Sequence, residues 1–281
     1  MYVKISRDTS KSKICLRVGI SLFCLWLMFI ITGCNSGDSI KTNDTTKKEN
    51  IVSSIIGDSY SLYISLPEDY DRSSDSYSVV YLLDGDTYFS AVKQMIYTHV
   101  RYHDMNPVIL VGIGNSEKRE RDYTPTACSD GPSGGGSKNF CDFLKTEIIP
   151  YIDSQYRTIS NPENRCLVGH SLGGLCSYYA LFYYNDVFHK FIAASSSLQW
   201  DGGIFFKYEQ DYASTHASLP VTLYTTVCTG DYAVNVYQNE MLKRLKDRGY
   251  SGLVIYSDTL EGEVHVNSWR SAFDKGLPKL L

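Results

Sequence analysis

Short apolar runs alternate with helical patterns along most of the chain, from about residue 51 to the C-terminus. Several of these runs are rich in β-branched residues and end in glycine or a polar residue. Continuous apolar strands of this kind are typical of a parallel sheet that helices cover on both faces. The predicted strands are SVVYLLDG (78–85), PVILVGIG (107–114), RCLVGHS (165–171), VTLYTTVC (221–228) and GLVIYSD (252–258), and the alternating stretch YSLYISLP (60–67) predicts an antiparallel strand before them.

Two stretches between the strands predict helices. In residues 139–156 apolar side chains recur on one face, and Pro150 is expected to kink or interrupt that helix. Residues 235–250 predict a second helix, which Gly249 ends. The alternation predicts one α/β domain with a mostly parallel central sheet, helices on both faces and no large lid domain.

Composition and charge exclude one class of partner. The chain has 281 residues, of which 43% are hydrophobic, and a net charge of -4. This composition suits a folded domain and lacks the basic footprint that nucleic-acid binding usually leaves. The sequence contains no feature from which an oligomeric state can be predicted.

The N-terminal residues predict a targeting segment. Basic residues precede the apolar run VGISLFCLWLMFII (18–31), which is shorter than the ~20 residues of a membrane span. The run ends in Ile31-Thr32-Gly33-Cys34, which resembles the lipobox of bacterial lipoproteins and implies a lipidated Cys34. An ordinary secretory signal or a single anchor helix are the alternatives.

We therefore expect a signal peptide over residues 1–34, a flexible polar tether over 35–50 and a folded domain over 51–281. The expected location is the cell envelope, where a lipid anchor holds the protein facing the periplasm or the cell surface. Five cysteines remain in the folded part, an odd number without CxxC pairing, which favours buried free thiols over a zinc site or a disulfide framework, although one bridge is possible. They are Cys128, Cys141, Cys166, Cys176 and Cys228.

A serine lies between two glycines in the stretch Gly169-His170-Ser171-Leu172-Gly173. An apolar strand precedes this stretch and a helical pattern follows it, which is the setting of a nucleophile elbow. The glycines permit close approach around a strained turn, and the helix N-terminus favours negative charge beside the hydroxyl. The pattern predicts Ser171 as a catalytic nucleophile.

A serine nucleophile needs a base, and His265 is our prediction for it. This histidine follows the last predicted strand, where an α/β-hydrolase carries its base after the serine and the acid in chain order. His170 is interpreted as a packing residue of the elbow. The other histidines lie in earlier segments, at His99, His103, His189 and His216.

Several further stretches resemble the putative esterase family of α/β-hydrolases, which includes esterase D-like enzymes and esterases of iron-siderophore trilactones. They are YLLDGDTYF (81–89), RERDYTP (119–125), GGGSKNFCDFLKTEIIPYIDSQYR (134–157), GHSLGGL (169–175), AASSSLQW (193–200) and LEGEVHVNSWRSAF (260–273). The resemblance implies the α/β-hydrolase fold, an esterase activity, and the roles of Ser171 and His265.

The resemblance and the elbow together imply an oxyanion hole. One donor is expected to be the backbone N–H of Leu172, and the other to come from the loop at Gly85, where the backbone can approach the substrate. Asp84 and Asp86 are interpreted as turn residues that shape this loop.

The acid is expected after the strand VTLYTTVC, and Asp231 is our prediction. Many relatives carry a glutamate slightly further on, near Ala233 in this chain. Glu261 and Glu263 are alternatives, and a Ser-His dyad without a carboxylate also remains open.

The predicted function is hydrolysis of an ester outside the cytoplasm, through an acyl-enzyme and without a metal or other cofactor. The substrate is expected to be a siderophore lactone or a carbohydrate that carries acyl or feruloyl groups. Arg119, Arg121, Trp200 and Tyr232 are candidate substrate contacts, although each arginine could instead pair with Glu120 or Asp122 to fix its loop. The alternative function is a non-catalytic lipoprotein that binds a glycan or siderophore.

Overall fold

A computed structural model describes residues 46–114, 116–127 and 133–281. In this part of the chain, eight strands form a single sheet in the order β1-β2-β4-β3-β5-β6-β7-β8. The strands β1 and β2 pair antiparallel, β2 is antiparallel to β4, and all other neighbours are parallel. The strands are β1 (Lys47–Val52), β2 (Ser59–Ser65), β3 (Ser78–Leu82), β4 (Val108–Gly114), β5 (Arg165–His170), β6 (Lys190–Ala194), β7 (Thr222–Cys228) and β8 (Val254–Leu260).

Helices cover both faces of this sheet. Alternate residues of one strand point to opposite faces, so that Val79 and Tyr81 pack in one core while Val80 and Leu82 pack in the other. The first core also contains side chains of α2 to α7, and the second contains side chains of α1 and α8. The helices are α1 (Gly85–Arg101), α2 (Arg119–Tyr123), α3 (Ser137–Phe143), α4 (Ile149–Gln155), α5 (Leu172–Tyr183), α6 (Phe205–Ala213), α7 (Tyr232–Arg248) and α8 (His265–Leu280).

This architecture is the predicted α/β-hydrolase fold. The central strands are buried on both faces, as their continuous apolar runs predicted; all seven residues of β4 are buried. The stretch at 60–67 forms the predicted antiparallel strand, as β2. Gly249 ends α7 in the left-handed conformation, with φ at 65°.

Two strands lie where the sequence did not predict them. β1 begins at Lys47, inside the segment predicted as a tether, and pairs with β2 from Lys47 opposite Ile64 to Val52 opposite Ser59. Its sequence KKENIV is mostly polar because its side chains are exposed or half-buried. β6 is also short, and its residues KFIAA carry only one β-branched side chain. The ordered domain therefore includes residues before 51.

The helix over residues 139–156 is interrupted, as Pro150 predicted. α3 ends at Phe143, a wide π turn spans Leu144–Ile148, and α4 begins at Ile149. Proline has no N–H to donate to the preceding turn, so the widened turn relieves its conflict with the helical ladder.

Four of the predicted thiols are free and buried: Cys141, Cys166, Cys176 and Cys228. Cys128, the signal peptide, Cys34 and the tether up to residue 45 lie outside the described residues. Within the described part, no helix has both the length and the apolar character that crossing a bilayer requires.

Candidate active site

Ser171 occupies a strained turn between β5 and α5. Its backbone has φ 59° and ψ -117°, a conformation that non-glycine residues rarely adopt. A Cβ atom on Gly169 would lie within 3.0 Å of the backbone of Gly173, so glycine is required where the two sides of the turn meet. Leu172 is the first residue of α5, and its N–H therefore has no acceptor within the helix.

His265 contacts Ser171 from a segment 94 positions further along the chain. It is the first residue of α8, directly after the loop that follows β8. Its Nε2 lies 2.8 Å from the Ser171 Oγ. The two residues predicted as nucleophile and base are thus in hydrogen-bond contact.

Asp231 contacts the other nitrogen of the same ring. It follows β7 and caps α7, because its side chain accepts the backbone N–H of Val234. Its Oδ2 lies 2.6 Å from His265 Nδ1. This short contact is an ion pair when the imidazole is protonated.

The alternative carboxylates have other surroundings. Glu263 accepts a short hydrogen bond from the Ser271 hydroxyl, and its backbone carbonyl accepts the N–H of Gly230. Glu261 is exposed. Of the candidate acids, Asp231 is therefore the one in contact with His265.

His170 supports the backbone of His265. It is buried, and its Nε2 lies 2.9 Å from the carbonyl oxygen of His265, while its Nδ1 lies 3.2 Å from the Tyr88 hydroxyl. Burial, together with the nearby His265, lowers the pKa of His170 to about 3. The ring is therefore neutral, and because a carbonyl only accepts, Nε2–H donates to it and Nδ1 accepts from Tyr88.

The loop predicted to supply an oxyanion donor has a different construction from the one expected. Asp84 adopts a left-handed conformation, with φ at 52°, and Gly85 begins α1. A Cβ on Gly85 would lie 2.5 Å from the backbone of Gly112 in β4. Close packing against the neighbouring strand therefore requires glycine here, whether or not a substrate also approaches this backbone as the sequence suggested.

Asp84 does more than shape a turn. Its buried carboxylate accepts two hydrogen bonds from Arg119, at 2.9 and 3.1 Å, and its backbone N–H donates to the Tyr123 hydroxyl. Burial raises the pKa of the Asp84 carboxyl, and the Arg119 guanidinium opposes this effect. The pair fixes α2 to the loop at the start of α1.

The four predicted substrate contacts differ in their surroundings. Arg121 binds Asp122 at 2.6 Å, a pairing that the sequence offered as an alternative, and also Asp58 at 2.5 Å. Arg119 is likewise engaged by a carboxylate, but its partner is Asp84. The indole N–H of Trp200 donates to Thr126, whereas the side chain of Tyr232 is 82% exposed, directly after Asp231. Tyr232 is the candidate most available to a ligand.

Sequence reasoning missed the serines that surround this group. Ser197 Oγ lies 3.2 Å from Ser171 Oγ, and the Ser268 hydroxyl donates to the carbonyl of His265 at 2.9 Å. Ser195 and Ser268 share a hydrogen bond of 2.9 Å. The run Ser195–Ser197 at the end of a strand was the available signal, because the ends of parallel strands meet at one edge.

The fold and this group of residues define an α/β-hydrolase with a serine at its nucleophile elbow. The chain belongs to the family described as Putative esterase, which matches residues 53–280.

Two curated relatives are each 30% identical to the chain. Ferri-bacillibactin esterase BesA of Bacillus subtilis matches over 174 residues, which is 55% of this chain and 59% of that protein. The siderophore triacetylfusarinine C esterase of Aspergillus fumigatus matches over 159 residues, 52% of this chain and 53% of that protein. The chain thus spans between half and two thirds of the length of these relatives.

Solved structures share the fold over most of the domain. An IroE-like serine hydrolase from Shewanella oneidensis has a TM-score of 0.77 at 25% identity, covering 83% of this chain and 79% of its own. The BES protein from Bacillus cereus has a TM-score of 0.75 at 24% identity, covering 84% of this chain and 94% of its own.

Proposed function

We propose that this protein is a serine carboxylic-ester hydrolase in which Ser171, His265 and Asp231 form the catalytic triad. One observation carries the proposal: a serine on a strained elbow lies 2.8 Å from an imidazole nitrogen, and a carboxylate lies 2.6 Å from the other nitrogen. Membership of the esterase family supports the same reaction. The contact of Asp231 with His265 supports a catalytic role over the alternative of a non-catalytic binding protein.

In the acylation step, Ser171 Oγ attacks the ester carbonyl while His265 Nε2 takes the hydroxyl proton. The imidazolium is stabilised by the Asp231 carboxylate at its Nδ1 side. The tetrahedral intermediate then collapses, the C–O bond to the alcohol breaks, and His265 returns the proton to the departing oxygen. The product of this step is an acyl-Ser171 ester and a free alcohol.

The intermediate's oxyanion needs preorganised donors. The Leu172 N–H is directed out of the N-terminus of α5. Gly85 is the first residue of α1, in the loop that follows the neighbouring strand β3. We assign the backbone N–H groups of Leu172 and Gly85 to the oxyanion hole. Each such donor typically lowers the barrier by ~2.7–4 kcal/mol.

Deacylation repeats the sequence with water. His265 takes a proton from water, the hydroxide attacks the acyl carbon, and Ser171 Oγ leaves and recovers its proton from His265. The net reaction converts an ester and water into an acid and an alcohol. These steps use no cofactor.

For the substrate we propose a siderophore ester, because two of the relatives are named as siderophore esterases. Carbohydrate esters of acetate or ferulate are the second class to test. Comparing hydrolysis of a trilactone siderophore with that of feruloyl, acetyl and p-nitrophenyl esters distinguishes the classes.

We also propose that lipidation of Cys34 anchors the enzyme in the cell envelope, as the lipobox-like sequence suggests. Labelling of cells with a clickable fatty acid should modify the wild type but not Cys34→Ala. Recovery of equally labelled Cys34→Ala protein would contradict the anchor.

A fluorophosphonate probe tests the triad without knowledge of the substrate. The probe should label the wild type and not Ser171→Ala, and kcat of this variant on p-nitrophenyl acetate should fall by roughly 10⁶. The proposal fails if the wild type remains unlabelled, or if Ser171→Ala is labelled equally.

A further inference from the structure

The segment after β6 is bound to the nucleophile elbow through its backbone. The Ser171 N–H donates to the carbonyl of Ala194 at 3.0 Å, and the Ser197 N–H donates to the carbonyl of Ser171 at 3.1 Å. Ser197 is buried, with 7% of its surface exposed. The position of the Ser197 side chain is therefore set by the same backbone that sets the nucleophile.

The Ser197 hydroxyl contacts the reacting oxygen. Its Oγ lies 3.2 Å from Ser171 Oγ, which also lies 2.8 Å from His265 Nε2. A serine hydroxyl has one hydrogen and two acceptor positions. When neutral His265 accepts the hydrogen of Ser171, the hydrogen between the two serines must come from Ser197. Ser197 is then a donor to the nucleophile.

We propose that Ser197 is a fourth catalytic residue, a hydrogen-bond donor that stabilises negative charge on Ser171 Oγ. This inference rests on the proposed ester-hydrolase function. Charge grows on Oγ as its proton moves to His265, and again in deacylation as the bond between the acyl carbon and Oγ breaks. A donor to a charged oxygen is stronger than one to a neutral hydroxyl, so the contact stabilises these transition states more than the ground state.

The neighbouring residue offers a matched control. Ser196 is also buried, and its hydroxyl oxygen has no hydrogen-bond partner among the described residues. Ser196→Ala and Ser197→Ala thus remove the same atom from adjacent buried positions. Only the second change removes a contact with Ser171.

Two rates should be measured for each variant: the labelling rate with a fluorophosphonate, and kcat with p-nitrophenyl acetate. In Ser197→Ala we expect both to fall roughly 10- to 100-fold, the effect of losing one hydrogen bond to a charged group. In Ser196→Ala both should stay within about twofold of the wild type, as expected where no hydrogen bond is lost. Thermal unfolding of both variants checks that each is folded.

The outcomes separate this inference from the proposed function. If the wild type is labelled and active but Ser197→Ala matches it within about twofold, less than a lost hydrogen bond would cause, Ser197 is not catalytic and the esterase proposal stands. Equal losses in Ser196→Ala and Ser197→Ala also overturn the inference, because they would reflect packing. If the wild type is neither labelled nor active, the proposed function fails and this inference fails with it.

Discussion

The nucleophile and the acid–base pair lie at the same edge of the sheet but are held in different ways. On the nucleophile side, the turn at Ser171 is fixed by backbone packed against backbone, at Gly169 against Gly173. On the acid–base side, Asp231 and His265 lie where two loops end and α7 and α8 begin. The residues that follow them are exposed, Tyr232 at 82% and Val266 at 69%. The turn at the serine is thus constrained by steric exclusion as well as by hydrogen bonds, whereas the histidine is held mainly by hydrogen bonds.

Those hydrogen bonds join the two loops of the acid–base side to each other and to the elbow. The Gly230 N–H donates to the carbonyl of Glu263, and the Gly262 N–H donates to the Thr229 hydroxyl. His170, from the elbow itself, donates to the carbonyl of His265. Substitutions on the nucleophile side should therefore act mainly through steric clashes, and those on the acid–base side mainly through lost hydrogen bonds.

The largest expected effect is the loss of kcat when Asp231, the proposed acid, is replaced. Asp231→Asn should lower kcat by about 10⁴, because the neutral amide no longer stabilises the imidazolium that forms during the reaction. Glu263→Gln is the matched control, since the Glu263 carboxylate binds Ser271 and not the ring. Steady-state kinetics on p-nitrophenyl acetate measure both variants. A greater loss in Glu263→Gln would assign the acid to that residue instead.

Next in size is the contrast between two glycines, one on each side. Gly169→Ala should lower the free energy of unfolding by roughly 4 kcal/mol, because its Cβ would collide with the backbone of α5. Gly262→Ala should cost only about 1 kcal/mol, since Gly262 has a φ of +73° but open space around its Cβ. Urea unfolding measures both. Similar losses in the two variants would refute the proposed division between the two sides.

A smaller effect is expected from the protonation of His170. Its pKa is lowered to about 3 in the folded state, against about 6.5 when unfolded, so between these values the unfolded chain binds more protons. Stability therefore falls as the pH drops from about 6.5 towards 3. Between pH 7 and pH 5 the wild type should lose about 2 kcal/mol more than His170→Gln, which cannot titrate there. Chemical unfolding at the two pH values measures the difference, and equal losses would contradict it.

The smallest effect is expected at the exposed rim. Tyr232→Ala should leave stability within about 0.5 kcal/mol of the wild type, because its side chain is 82% exposed. If the ring contacts the acyl group, KM for a feruloyl ester should rise by roughly two- to fivefold with kcat unchanged, while acetyl ester kinetics stay constant. Unchanged KM for both esters would remove Tyr232 from the substrate site.

Much of the fold could be predicted because its central strands are buried on both faces and read as apolar runs. β1 could not be, since a strand at the sheet edge with exposed side chains has no apolar pattern. Ser171 and His265 were predictable from local motif and chain order, and the structure brings them into contact.

The surrounding contacts were harder to predict because they join distant segments. His170 looked like a packing residue, but its bond to the carbonyl of His265 crosses 95 positions of the chain. The same holds for Arg119, for which the sequence offered a substrate or a neighbouring carboxylate as partner, and which binds Asp84, 35 positions away in the chain. Charge and motif identify residue types that can act, whereas tertiary packing decides which partner each one meets.

The proposed base stands at the first position of α8, so the reactive group is complete only after residue 265 has been synthesised. Residues 171 and 231 are synthesised before α8, which begins at residue 265. Until that helix docks against β6 and β7, the serine has no base and the polypeptide is chemically inert towards esters. Ester turnover by a preparation should therefore count only molecules in which the start of α8 has docked against the sheet.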